Sequence, residues 1–565
     1  MRESVLTRDT LQAEPDAVDG GPIGRSIVGA RSWSRGHEAM ILLLALAAFV
    51  AALAPALRET GTPPAWDQSI HLRDSLIYER ILRHPSDLGG GVLGAILRGS
   101  EEHPLLTPSG YYPPLVPGVT ALLYRVAGRS YETAMATQVF FLALLVFGTW
   151  ALGNHLLGRP VGLAAALLLL AAPGIRVNAW EYMLDLPLAG MVVVSAWALL
   201  STDDFARRDR SLAFGCLLGA GMLTKWTFFL FLAAPVLLAM ARGFDTSAPT
   251  SVPRSRRWVN LALALLVGGT VAAPYYLPIL PILVRKTVVH AGGAADGFVS
   301  PFTLTSILYH LEALPRKLFG WPLTVTAVVG ILAFLRSSQA ARRARSFLPI
   351  WALSLYAVFT FVVANKQSRY LLPWLPILLL MAAGGLVAFW RRAVAGRALL
   401  AMGLLVLLPV TGLAGTWRAQ DSGDWNIRQL VARLEEELAR SPGRSRKVAV
   451  LGVIPDMQEV NGPTVAYYAA RRELPVTVVQ LVNRMKRHVS VEVGLDPFGR
   501  GDFYQTFDQY DFLATKDGAN AVPPWEEVVP EMQAYFGKRI AEFDLLASFR
   551  EPDGSTLALY KRKRG

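Results

Sequence analysis

The chain has 565 residues, of which 53% are apolar and only 18% charged, against about 25% charged residues in soluble domains. The deficit is uneven: residues 39–417 are dominated by long apolar runs, while 418–565 have the composition of a soluble domain, so membrane insertion is considered before any fold. The formal net charge is +13, yet 418–565 hold 21 basic and 21 acidic residues. The whole excess therefore sits in the membrane half, which argues against the basic folded patch of a nucleic-acid-binding protein. A single cysteine, Cys216, excludes an internal disulfide and a thiolate metal cluster.

Residues 1–38 are polar, of mixed charge and contain Gly20-Gly21; they read as a disordered cytoplasmic N-terminus. The first apolar run, 39–57, begins too late for a signal peptide and reads as a retained span. A span needs roughly 20 apolar residues, and further candidates follow at 133–153, 160–176, 184–201, 211–224, 226–241, 258–284, 318–335, 346–364, 370–390 and 397–416. The run 211–241 is divided by Lys225 into two short halves. Loops 242–257, 336–345 and 391–397 carry many arginines and one acid, Asp245. Placing them inside requires a hairpin at Lys225 and predicts about eleven spans with an external C-terminus. Segments 58–132, 177–183, 225, 285–317 and 365–369 then all fall outside.

Within the first outer segment, 71–82 has apolar positions at helical spacing, 92–98 repeats this briefly, and 115–127 is apolar but short behind Pro113-Pro114. All three suit helices lying in the membrane interface. The tail predicts an extracytoplasmic α/β domain over 418–565. It has an amphipathic helix over 425–438, buried strands at 448–451 and 476–479, and a hairpin of 545–549 with 556–560 about Glu551-Pro552-Asp553-Gly554. Gly499-Arg500-Gly501 lacks the surroundings of a phosphate loop.

The residues able to carry chemistry cluster on the outer side. Asp67 follows the first span and reads either as a general base for an acceptor hydroxyl or as the N-cap of the next helix. Tyr112-Pro113-Pro114 is a rigid aromatic turn: a cavity wall, or simply a break before an interfacial helix. Glu181 and Asp185 are four apart and share a helical face. A carboxylate entering a span costs roughly 2.5–3.5 kcal/mol, so Asp185 calls for a partner or a function; an N-cap or a pair with Arg176 are the plainer alternatives. Lys225 is a snorkelling lysine or a cation for a lipid phosphate. Lys366, Arg369 and Tyr370 form the other external cluster, and a guanidinium pairs well with phosphate oxygens. His71 and His290 are isolated histidines, and no metal set is read from them.

With these pieces in order, the chain resembles the polyprenyl-phosphate-dependent membrane glycosyltransferases of the protein O-mannosyltransferase and aminoarabinose-transferase superfamily, with the C-type glycosyltransferase fold. The resemblance covers about 39–416. It rests on Trp66-Asp67-Gln68, Tyr112-Pro113-Pro114-Leu115, Asp185-Leu186-Pro187-Leu188, Leu223-Thr224-Lys225 and Arg369-Tyr370-Leu371-Leu372-Pro373. It implies a polytopic helical protein with Asp67 as catalytic base and Asp185 shaping the site. Lys225 and Arg369, with Lys366 beside them, would bind donor phosphate. Tyr112, Pro113, Pro114, Glu181, Tyr370 and His71 would line the cavity. It further implies a polyprenyl-phosphate-linked sugar donor, a glycan, lipid or protein acceptor, and the bilayer itself as partners, with no nucleic acid. No cofactor motif is found. A divalent metal is left open by the resemblance, but relatives often have Asp-Glu where this chain has Asp67-Gln68, and Gln68 is a poor metal ligand. The alternative of another class is a transporter or lipid flippase, which would place ionisable groups near the bilayer midplane, often in paired repeats. Here they gather at one face and no internal repeat is found.

Overall fold

The computed structural model describes residues 34–64, 66–85, 108–109, 111–245, 252–291, 299–337, 342–392, 423–440, 448–454, 459–480, 507–518 and 529–563. Ten of the eleven predicted spans coincide with helices: α1 (Arg35–Leu53), α4 (Tyr131–Leu157), α5 (Arg159–Ala171) continued by α6 (Pro173–Trp180), α7 (Asp185–Ser201), α8 (Arg208–Met222), α9 (Phe228–Gly243), α10 (Arg254–Ala291), α12 (Gly320–Arg336), α13 (Arg342–Phe361) and α14 (Leu375–Arg392). The eleventh, 397–416, lies outside the described residues, as do 92–98 and 499–501. Among the described residues, five helical stretches are long and apolar enough to cross a membrane, or six if the α5–α6 pair, bent by 62°, counts as one span. The chain is a membrane protein. Two of the segments expected in the interface are helical, α2 (Asp67–Arg83) and α3 (Leu115–Ala127), and α11 (Leu304–Ala313) lies ahead of α12.

The centre of the bundle is α7. It is apolar around its whole circumference, as a fully buried helix must be, and Leu186, Val192, Ala196 and Leu199 are all inaccessible. Its two ends carry different chemistry about 25 Å apart. At the far end, Asp203, Asp204 and Phe205 all have positive φ, which turns the chain sharply. Asp204 then collects Arg242 at 3.1 Å and Arg343 at 2.9 Å, while Arg257 donates to the Asp203 and Asp204 carbonyls. These arginines come from the basic loops. α8 leaves this end, and α9 returns to it, since Gly243 packs against the Asp204 carbonyl. The two helices therefore run in opposite directions, with Lys225 in the turn between them at the near end.

Close packing depends on small residues, as it does between helices in lipid. A Cβ on Gly385 would collide with the Gly330 carbonyl oxygen, where α12 and α14 cross. Gly385→Ala is expected to cost at least the 1–3 kcal/mol typical of overpacking, roughly, read as a fall in the thermal unfolding midpoint of the detergent-solubilised protein.

The tail folds as an α/β unit. Strands β1 (Ala449–Ile454), β2 (Val476–Gln480), β3 (Phe512–Lys516), β4 (Phe543–Arg550) and β5 (Thr556–Arg562) form one sheet in the order β2-β1-β3-β5-β4. β1 pairs parallel with β2 and β3, and β5 antiparallel with β3 and β4. Alternation along β1 explains the layering. Ala449, Leu451 and Val453 face the helices α15 (Ile427–Ala439) and α16 (Gly462–Arg471), in a core continuous with the membrane bundle. Val450 and Ile454 face α17 (Val529–Lys538), with Phe507, Met532 and Phe536. The predicted hairpin is β4–β5, turning at Gly554 with φ 82.

Candidate active site

Four separate elements meet at the near end of the bundle. Asp67 is the first residue of α2, not its cap: Trp66 occupies the cap position and makes no side-chain capping bond. Asp185 likewise opens α7 behind Leu184. A carboxylate in the first turn of a helix is favoured by the dipole of the peptide units. The turn between α8 and α9 supplies Lys225, and a short 3-10 helix, Ser368–Trp374, supplies Arg369 and Tyr370. The aromatic turn 111–114 is tied to the same place because Leu115 N–H donates to the Leu223 carbonyl at 2.9 Å.

The charges interlock. Lys225 Nζ donates to Asp185 Oδ1 at 2.6 Å. The Arg369 guanidinium reaches both acids, 3.3 Å from Asp67 Oδ2 and 3.6 Å from Asp185 Oδ2. Tyr112 Oη donates to Asp67 Oδ1 at 2.8 Å. The Tyr370 ring lies under both cations, 4.6 Å from Lys225 Nζ and 5.7 Å from Arg369 Cζ, close enough for cation–π attraction. Asp185 is sealed, with 1% of its side chain exposed, whereas Asp67 retains 34% and Arg369 27%. The accessible edge of the cluster is therefore the Asp67–Arg369 pair. Asp185 Oδ2 and Arg369 Nε, both buried, face each other across that 3.6 Å ion pair and make no closer hydrogen bond.

Burial pushes the Asp67 carboxyl up, but Arg369, the Tyr112 hydroxyl and Lys225 outweigh it and hold the group below its ordinary value. His71 is buried edge-on to Tyr112, ring centroids 4.4 Å apart. Burial lowers it to about 4 against the pull of Asp67, so it is neutral at physiological pH. Glu181 follows the end of α6, and burial raises its carboxyl against the opposing effect of Arg369. Pro113 is buried and Pro114 is the residue before α3; both shape the turn that aims Tyr112.

Lys366 does not join this cluster. An ammonium has three protons, and Nζ of Lys366 spends them on the carbonyls of Phe359, Thr360 at 3.0 Å and Val363 at 2.7 Å. It closes the end of α13, and no N–H is left for a phosphate. The side chain of His290 lies outside the described residues. Among the described residues, no three His, Cys, Asp or Glu side chains meet as a metal set. Tyr182 carried no signal in the sequence, and Gln68 read there only as a poor metal ligand. Gln68 accepts from the Tyr182 backbone N–H at 3.4 Å. Tyr182 itself sits in a hydroxyl web with Ser75, Thr120 and Thr137 behind the site. Tyr111 could have been found from its pairing with Tyr112, against which it stacks edge-on at 4.9 Å.

The crystal structure of ArnT from Cupriavidus metallidurans bound to undecaprenyl phosphate matches this architecture with a TM-score of 0.57, covering 93% of this chain and 98% of that one at 14% identity. The fold is that of the C-type glycosyltransferases. Two further structures share the C-type fold. The oligosaccharyltransferase AglB from Archaeoglobus fulgidus, in complex with an inhibitory peptide and a dolichol-phosphate, gives a TM-score of 0.54 at 12% identity over 94% of this chain and 74% of that one. The arabinofuranosyltransferase AftD from Mycobacteria gives 0.54 at 14% identity over 94% of this chain and 40% of that one. A family model described as dolichyl-phosphate-mannose-protein mannosyltransferase matches residues 111–282, a stretch holding Tyr112, Pro113, Pro114, Glu181, Asp185 and Lys225. No curated protein matches the chain in sequence. The chain thus resembles the polyprenyl-phosphate-dependent glycosyltransferases in both fold and matched segment.

Proposed function

We propose that this chain moves a sugar from a polyprenyl-phosphate donor to an acceptor hydroxyl at the outer face of the cytoplasmic membrane, by a single inverting displacement. The observation that carries the reading is the accessible Asp67–Arg369 pair, backed by the sealed Asp185–Lys225 pair, at the end of α7 opposite the arginines around Asp204. Arginine-rich ends tend to face the cytoplasm, which supports reading the Asp67 end, and the sheet packed against it, as external. We accordingly divide the chain into a cytoplasmic N-terminus, a transferase bundle over 39–417 and an extracytoplasmic domain over 418–565.

In this reading Asp67 takes the proton of the acceptor hydroxyl as that oxygen bonds to the anomeric carbon. The carbon–oxygen bond to phosphate breaks, and its electron pair leaves on the lipid phosphate. Arg369 and Lys225 meet that charge with preoriented donors. Asp185 is a positioning residue: sealed from solvent, it holds both cations by their carboxylate-facing sides. The phosphate also competes with Asp67 for Arg369, so donor binding removes the neighbour that keeps Asp67 a weak base. Tyr112, Tyr370, Pro113, Pro114, Glu181 and His71 wall the site. Lys366 has no part in phosphate binding.

The test is transfer by the purified full chain in lipid nanodiscs, offered undecaprenyl-phosphate-linked mannose, arabinofuranose and aminoarabinose with envelope extract as acceptor. Mass spectrometry should find one donor whose sugar appears on an acceptor while undecaprenyl phosphate is released. Transbilayer movement of intact donor in vesicles, with no sugar released from any of them, would establish the flippase alternative instead.

A further inference from the structure

The start of α2 has no side-chain cap. Trp66, immediately before Asp67, has φ 44 and ψ −115 and provides no side-chain cap. A bulky residue persists in such a conformation only where its surroundings over-determine it. Those surroundings come from the far end of the chain. The Pro64 carbonyl accepts from Ser69 and lies 3.2 Å from Thr464 Oγ1; both hydroxyl residues are fully buried. Thr464 belongs to the first turn of α16, where its N–H donates to Asn461 Oδ1 at 2.9 Å. Arg471, which ends α16, donates to Glu59 Oε1 at 2.6 Å. Just beyond it, Glu473 accepts from Arg80 at 2.9 Å and from Arg129, and Arg129 also pairs with the buried Glu79. α16 grips the chain before Asp67, at Glu59 and Pro64, and the turn that follows α16 grips it after Asp67, at Arg80. Leu72, Leu76, Tyr467 and Ala470 fill the space between in a common core.

We propose that α16 is a positioning clamp for the Asp67 carboxylate, with Thr464 and Arg471 as its positioning residues, so that the C-terminal domain acts on the transfer step itself. The proposal rests on Asp67 being the base. A domain that only recruits acceptor acts on the acceptor KM. A clamp acts on kcat, because displacing a reacting group by about 1 Å costs on the order of 100-fold.

The experiment uses the full chain in nanodiscs with whichever undecaprenyl-phosphate-linked sugar supports turnover. Thr464→Val with Arg471→Met should lower kcat by about 10- to 100-fold, leave undecaprenyl phosphate binding and donor KM unchanged, and be largely rescued by Thr464→Ser with Arg471→Lys. Should the double variant fail to fold, the isosteric Thr464→Val alone carries the comparison. In an Asp67→Asn background the same substitutions should cost nothing further, since a clamp acting through an absent base has nothing to position. The clamp is overturned if the two losses multiply, if kcat is unaffected, or if only the acceptor KM rises. Full activity of Asp67→Asn alone would instead remove the base, a separate result.

Discussion

Asp67→Asn slows sugar transfer by about 100- to 10,000-fold, the usual cost of losing a positioned base, while undecaprenyl phosphate still binds. The substitution keeps the size of the side chain and its ability to accept from Tyr112, which donates at 2.8 Å. It removes only the charge and the basic oxygen. The pH profile of the unchanged enzyme checks the assignment independently. Burial raises the Asp67 carboxyl, but Arg369 and the other neighbours bring it below its ordinary value of 3.8. A depressed carboxyl stays ionised as pH falls, so kcat/KM should lose no activity through this group until the pH drops below that value. The profile of kcat should differ. Once donor phosphate has claimed Arg369, the main lowering influence on Asp67 is gone, and the acid limb of kcat should stand at higher pH than that of kcat/KM. Coincident limbs would mean that Arg369 stays on Asp67 throughout turnover, contrary to its proposed role.

The bilayer made most of the helices legible. It demands apolar runs of about 20 residues, and charges at their ends, such as Asp185 and Lys225, stand out against that background. Their pairing across 40 residues follows once both lie at one face. The Asp67–Arg369 contact spans 302 residues, and only the resemblance linked the two in the sequence. Lys366 misled because a lysine outside runs against the inside bias of cations; the reason it is there is local. The chain reverses after α13 and presents three carbonyls to one ammonium, which composition does not encode. Gln68 read as a missing carboxylate and is instead a backbone acceptor for Tyr182. In the tail, short apolar runs marked β1 and β2 and turn residues marked the β4–β5 hairpin, but not β3, the middle strand of the sheet, whose place depends on a crossover connection. The clamp was invisible for the same reason at longer range: Glu59 and Arg471 are 412 residues apart, and each reads alone as an ordinary solvated charge.

Arg369→Gln should lower kcat by about 100- to 1,000-fold, the range for removing one preoriented donor from a developing anion, and weaken undecaprenyl phosphate binding. Its more telling effect is on pH. Without Arg369, burial, which raises the Asp67 carboxyl, is opposed only by the smaller effects of His71, the Tyr112 hydroxyl and Lys225. The group therefore moves up, and the residual activity is lost at higher pH on acidification than in the unchanged enzyme. Stability changes in parallel. Asp185 is sealed and would keep only Lys225. Stripping a partner from a fully buried pair costs about 3–5 kcal/mol. Arg369 is 27% exposed and a second cation remains, so a loss nearer 1–2 kcal/mol is expected, about a third of the fully buried case. Arg369→Gln combined with Asp185→Asn separates the two consequences. Neutralising the sealed acid restores the balance of one acid, Asp67, to one cation, Lys225, and should return the unfolding midpoint part of the way to its starting value, while transfer stays slow because the phosphate still lacks its guanidinium. Recovery of transfer along with stability would mean that Arg369 serves the fold alone, and the departing phosphate would then need its cation from elsewhere.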